Sequence, residues 1–288
     1  MGERSGVLLA PQTLSALAAQ FGGELRAANG TVERMSPADI GQAADLVPLL
    51  SLKYLRAAEE AHARGAALLI DQKVADSTTL GGWIHPRATW AMAKVLDAFA
   101  VKVANDASQI HPTAQIGEHV VIYPRVVIGA GVVIGAGSVI GAPGFGWAED
   151  ANGTVVHVPQ LGGVVIGENA HIGPLCTIAS GTLSPTVVGR GAKLDAQVHV
   201  GHNAMIGENV IVAAQTGFAG SVTIGRGARI GGQVGVADHV TIGAFAQIAA
   251  KSGVIGDVPE GATYAGYPAV PRWRWLRGLA KMYRGVRS

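Results

Sequence analysis

Nine histidines are spread along the chain, and one short segment gathers two of them with an acid and two amides: Asp195-Ala-Gln-Val-His-Val-Gly-His-Asn203. An imidazole is the side chain best suited to taking a proton at neutral pH, so the chemistry to look for is general-base catalysis. The sequence offers no nucleophile elbow, no phosphate-binding glycine loop and no Cys/His metal spacing. Lone histidines on a protein surface are more often inert, so the case for His202 depends on what the fold puts around it.

A repeat does the positioning. Stepping by six from Ile110 gives Ile116, Ile122, Ile128, Ile134 and Ile140; a second block runs Ile166, Ile172, Ile178; a third runs from Val188 to Val254. All 21 anchors are aliphatic or Phe in a chain that is 49% apolar, a coincidence of roughly one in a million. A six-residue period fits neither an α-helix nor a hairpin meander. It fits a solenoid of short strands in which three faces close one coil of about 18 residues, stacked about 4.8 Å apart by parallel ladders. The anchors make seven coils. Gly follows most anchors, as in Ile134-Gly135 and Ile206-Gly207, and is expected to give the corner its unusual backbone angles. Two breaks of phase, Ile140 to Ile166 and Ile178 to Val188, read as loops thrown out from a corner.

On this lattice His202 lies two residues after Val200, at an outward turn, and His199 lies near the neighbouring corner. Gly220 follows His202 by 18 residues, so it stands one coil above, about 5 Å away. A bare backbone N–H beside an imidazole could hold the oxyanion of an acyl-transfer intermediate. His239 falls two coils up and one residue along.

The flanks differ. Thr13–Phe21, Lys53–Ala63 and Thr89–Phe99 read as helices and Ala66–Asp71 as a buried strand, a small α/β domain. The tail from Arg272 carries six basic and no acidic residues, reads as a helix after Pro271, and offers Trp273, Trp275, Leu276 and Leu279 to cover the open end of the prism. Its cations suit an acidic partner. The expected domains are residues 1–105 (α/β, nucleotide-binding), 106–262 (β-helix) and 263–288 (basic helix). A formal net charge of +2 argues against bulk nucleic-acid binding. The single Cys176 excludes an intramolecular disulfide and makes a reducing cytosol the default, at most peripheral to an inner membrane. No run reaches the length of a spanning helix, and the start shows no convincing signal-peptide cleavage site.

Several segments match one family. Gly141-Ala-Pro-Gly-Phe-Gly-Trp147, Val158-Pro-Gln-Leu-Gly-Gly-Val-Val-Ile-Gly167, Val200-Gly-His-Asn203, Gly231-Gly-Gln-Val-Gly235, Ala249-Ala-Lys-Ser-Gly253, Tyr264-Ala-Gly-Tyr-Pro-Ala269 and Leu52-Lys-Tyr54 together resemble the UDP-3-O-acylglucosamine N-acyltransferases of lipid A synthesis. The resemblance implies a left-handed parallel β-helix, with a small N-terminal α/β domain and a C-terminal helix. It implies a homotrimer, a UDP-sugar acceptor, and an acyl donor carried on the phosphopantetheine of acyl carrier protein, with no other cofactor and no metal. It assigns His202 as base, Gly220 as oxyanion donor, His239 as a second functional histidine and Asp195 as the acid near the base. Ser51, Lys53 and Tyr54 fall at uracil-contact positions, and Phe145, Gly146, Gln160 and Asn203 at further substrate contacts. Arg274, Arg277, Lys281 and Arg284 would dock the carrier.

The chain departs from the family at Pro48 (usually a stacking Phe), Ser51 (Asn), Pro143 (Asp), Ala179 and Ser180 (Asp-Arg) and Ala196 (Asn). The base is kept while substrate contacts change, which leaves the sugar nucleotide, the acyl length and the roles of His199 and His239 open. The alternatives are a related hexapeptide acyltransferase using another sugar nucleotide or acyl-CoA, and a non-catalytic paralogue.

Overall fold

A computed structural model describes residues 6–27, 29–101 and 107–284. The expected 105/106 boundary and the last tail cation, Arg287, lie outside the described residues. Two compact units emerge: residues 1–106 with 145–162 and 182–184, and residues 107–144, 163–181 and 185–288.

The leading unit is α/β. Six strands lie in the spatial order Val7–Thr13, Thr31–Met35, Asp45–Leu49, Ala67–Asp71, Gly82–His85, Glu24–Arg26. The inner pairings are parallel and the two outer ones antiparallel. Helix α1 (Leu14–Phe21) opens at Thr13, whose Oγ1 accepts from the Ala16 N–H at 3.1 Å. Helices α2 (Leu55–Ala63), α3 (Gln72–Ala75) and α4 (Ala88–Phe99) follow, so the three helices and the strand read from the sequence are present. The excursion at 145–162 forms a hairpin, Trp147–Glu149 against Val155–His157. Its Ala148 and Val158 join Leu17, Trp83 and Leu96 in one buried cluster, as does Leu183 of the second excursion. The Leu183 carbonyl accepts from the Gly6 N–H at 3.0 Å. Both excursions therefore contribute side chains to the core of the leading unit.

The second unit is a parallel β-helix. Its three faces carry sheets of seven, nine and seven strands, parallel except for the last pair, Thr263–Ala265 with Val270–Pro271, so the seven expected coils are present with extra strands at the C-terminal end. On one face the ladder runs Val121, Val139, Thr177, His199, Gly217, Gly235, Gly253. The steps are 18 residues except where the excursions intervene, yet the register resumes after each. Anchors from Ile128 to Val254 are at most 4% exposed, whereas Ile110 and Ile116 at the first coil are 42% and 38% exposed. Full burial of each such side chain contributes about 1.5–3 kcal/mol.

Apart from Gly141, at φ +87, the glycines after the anchors have a different reason than angle. Neither Gly135 nor Gly207 has positive φ; the left-handed residue stands three after the anchor, as at Gln197, Asn203, Ser221 and His239. A Cβ on Gly135 would stand 2.5 Å from Pro174 N, and one on Gly207 2.7 Å from Arg226 N, in the next coil. Close approach between coils, not conformational freedom, demands Gly there.

The tail forms α5 (Arg272–Arg284), beginning after Pro271 as expected. Trp275 and Leu279 are half-buried, and the Trp275 ring lies against Gly266. Trp273 and Leu276 do not cover the prism as expected: they are 60% and 46% exposed.

Candidate active site

The corner after Val200 holds the imidazole between two glycines. A Cβ added to Gly220, in the coil above, would stand 2.6 Å from His202 Nε2. A Cβ added to Gly144 would stand 2.5 Å from His202 Cβ. The side chain fits only because both neighbours lack one. Its Nδ1 lies 3.0 Å from Asn203 Oδ1. A carbonyl oxygen only accepts, so Nδ1 carries the proton and Nε2 presents a lone pair. Asn203 sits at φ +59, and its N–H donates to the Thr186 Oγ1 at 2.9 Å, with Thr186 fully buried. Thr186, Asn203 and His202 thus form one chain of support from the core to the imidazole.

Gly220 accepts through its carbonyl from the His239 N–H at 3.1 Å, and its own N–H has no partner among the described residues. An unpartnered backbone donor thus stands in the residue against which the imidazole packs. His199 stands on the face before the corner, its Nδ1 2.7 Å from Thr177 Oγ1. Desolvation, and then the positive charge that His202 can carry, push its pKa below the ordinary 6.5, although its rim is exposed. Above His199 the outward positions are Gly217 and Gly235, with nothing within 4 Å of a Cβ built on either. The Tyr267 ring lies directly on the next, Gly253. A track of bare backbone runs between His199 and Tyr267.

Asp195 and His239 are not drawn into this cluster within one chain. Asp195 occupies the preceding corner, where its Oδ1 accepts from the Ala196 N–H at 2.7 Å. His239 is exposed, at a left-handed corner position in register with Ser221 and Asn203 instead of His202. The other expected contacts lie in the leading unit. Lys53 and Tyr54 are exposed on the turn Leu52–Tyr54, where the Lys53 N–H donates to Ser51 Oγ at 3.4 Å. Phe145 is 87% exposed and meets Trp147 edge-on at 6.1 Å. Gln160 Nε2 donates to the Val158 carbonyl at 3.0 Å and its Oε1 accepts from Thr182 Oγ1 at 3.0 Å, beside Gly146. Arg274, Arg277, Lys281 and Arg284 are all exposed on α5.

The bacterial transferase hexapeptide family, a set of six repeats, matches residues 107–142 and 185–220. The two matched segments together make up 72 of the 288 residues. The second matched segment contains His202, Asn203 and Gly220. A UDP-3-O-acylglucosamine N-acyltransferase from Caulobacter vibrioides is 54% identical over 141 residues, 49% of this chain and 41% of the relative. One from Rhizobium meliloti is 39% identical over 169 residues, 59% of this chain and 44% of the relative. The chain therefore spans less than half the length of these curated relatives, and the resemblance read from its motifs is borne out over that span. A solved UDP-N-acetylglucosamine acyltransferase from Campylobacter jejuni aligns with 58% of this chain and 72% of its own, at 27% identity and a TM-score of 0.46.

Two supporting residues were not singled out from the sequence. Thr186 gives no signal beyond being a hydroxyl two residues before an anchor. Gly144 lies in the Gly-Ala-Pro-Gly-Phe-Gly segment, but its neighbour is visible only in three dimensions.

Proposed function

We propose that the protein is an N-acyltransferase that moves a 3-hydroxyacyl chain from acyl carrier protein to the 2-amino group of a UDP-3-O-acyl-glucosamine. The observation that carries this reading is the His202 imidazole, fixed through Nδ1 by Asn203 with Nε2 presented over Gly220. Nε2 takes a proton from the amine as its nitrogen attacks the thioester carbonyl. The Gly220 N–H steadies the resulting oxyanion. When the intermediate collapses, the imidazolium returns the proton to the departing thiolate, so the products are an amide and a free thiol. An acyl chain suits the bare track over Gly217 and Gly235, where no side chain competes for the surface. The exposed cations of α5 suit the acidic carrier. By resemblance the working form is a homotrimer in the cytoplasm, and no metal or further cofactor takes part.

The test is His202→Ala and His202→Gln, assayed for transfer and for oligomeric state. Transfer should fall about 100-fold or more with the assembly intact; full activity in either variant would end the proposal.

One observation favours a neighbouring reading. Pro48 lies in the strand Asp45–Leu49 where the family offers a stacking ring, and Ser51 Oγ is occupied by its own turn. Tyr54, 36% exposed, is left as the aromatic partner for a base, and stacking of this kind is worth about 1–3 kcal/mol. Calorimetry with UDP-N-acetylglucosamine on wild type and Tyr54→Ala separates the cases. Weak binding that depends on Tyr54 keeps the uridine acceptor; no binding points to another acceptor.

A further inference from the structure

We propose that α5 is a surface anchor that lays this protein on an anionic lipid bilayer. The helix has three kinds of side. Trp275 and Leu279 are half-buried, and the Trp275 ring seats on Gly266. That fixes which side is inward. Trp273, Leu276 and Tyr283 are 60%, 46% and 68% exposed, and their spacing, with Ala280 between, puts them on one stripe. Beside it Arg274, Arg277, Lys281 and Arg284 repeat the same spacing one residue on. With Arg272 the helix carries five cations and no acid.

An acidic carrier accounts for the cations but leaves the apolar stripe in water. A second copy of the helix would cover the stripe but bring five cations against five more. A bilayer with anionic headgroups answers both. Tryptophan and tyrosine settle at the level of the headgroups, leucine enters the acyl boundary, and arginines meet the phosphates. Arg277 already lies over the Trp273 ring, 4.9 Å from its centroid. The guanidinium covers one face of the ring and keeps donors for phosphate. Exposed Ile255 and Tyr267, 66% and 79%, belong to the same end of the prism. No described helix is long and apolar enough to cross a bilayer, so the contact is along the surface.

The test is co-sedimentation of the full chain with phosphatidylcholine vesicles, with and without phosphatidylglycerol, at low and high salt. Binding should require phosphatidylglycerol and fall with salt. Arg274→Glu with Arg277→Glu should weaken it about 30-fold or more. Trp273→Ser with Leu276→Ser should weaken it comparably while leaving the charge, and the oligomeric state, as in wild type. No binding to anionic vesicles at low salt overturns the proposal. So does binding that ignores the serine pair, which would mean charge alone. If the serine pair instead lowers the oligomeric state or carrier binding and leaves vesicle binding intact, the stripe is a protein contact and the anchor is refuted. None of these outcomes depends on the acyl-transfer reaction, which is measured separately.

Discussion

The Nε2 of His202 lies over the α-carbon of Gly220, so close that a methyl group there would stand 2.6 Å from it. The atom in the way is the far end of a side chain, not backbone. Gly220→Ala should therefore leave the coil intact and swing the imidazole aside. Transfer should fall about 100-fold or more, with a melting temperature close to wild type, as read by steady-state kinetics and thermal unfolding. Wild-type kinetics would show that the contact has no part in the chemistry.

Asn203 sets the tautomer of the base. Asn203→Asp keeps a side chain that tolerates the left-handed backbone at φ +59 and places a negative charge beside Nδ1. A carboxylate favours imidazolium, so the base gains protons at higher pH. The acid limb of the pH–rate profile should move upward in pH, with the plateau retained above it. An unmoved limb would mean that another group titrates in that range.

His199 bears on stability. Its folded pKa lies below 6.5, first through desolvation and then through His202. As pH falls below the unfolded value, the unfolded chain takes up the proton more readily, so this residue's contribution is present above that pH and lost below it. His199→Gln should flatten the decline in denaturation midpoint between about pH 8 and about pH 5. An equally steep decline in the variant would assign it to other groups.

Tyr267 ends the bare track by lying on Gly253. Tyr267→Ala should open one more coil, about 4.8 Å or some four methylenes of extended chain, and move donor preference towards longer acyl chains. Competition between donors of different length reads this directly. Unchanged preference would remove the track from the account of the acyl group.

The anchors from Ile128 to Val254 were legible because the lattice writes its period straight into the sequence. The left-handed positions were not, since residues as unlike as Gln197, Asn203, His239 and Phe245 occupy them. Likewise, counting 18 back from His202 gives Ser184, yet the residue beneath the imidazole is Gly144. The excursions reset the count, and their core contacts, Leu183 with Gly6 among them, span too much sequence for any local pattern to reveal. His202 and Gly220 were found because no excursion falls between them.

That resetting has a consequence for how such a chain changes length. Val139 pairs with Thr177 and Thr177 with His199, steps of 38 and 22 residues where Gly217 to Gly235 takes 18. Corners accept insertions of arbitrary size; strands accept only whole turns of the stencil. A deletion confined to one hexad would rotate every later residue onto the wrong face, while loss of a full coil would leave each survivor facing as before. Descent by insertion and deletion is therefore quantised along the prism and continuous at its edges, and new recognition elements enter through the edges without disturbing the ladder that holds the base.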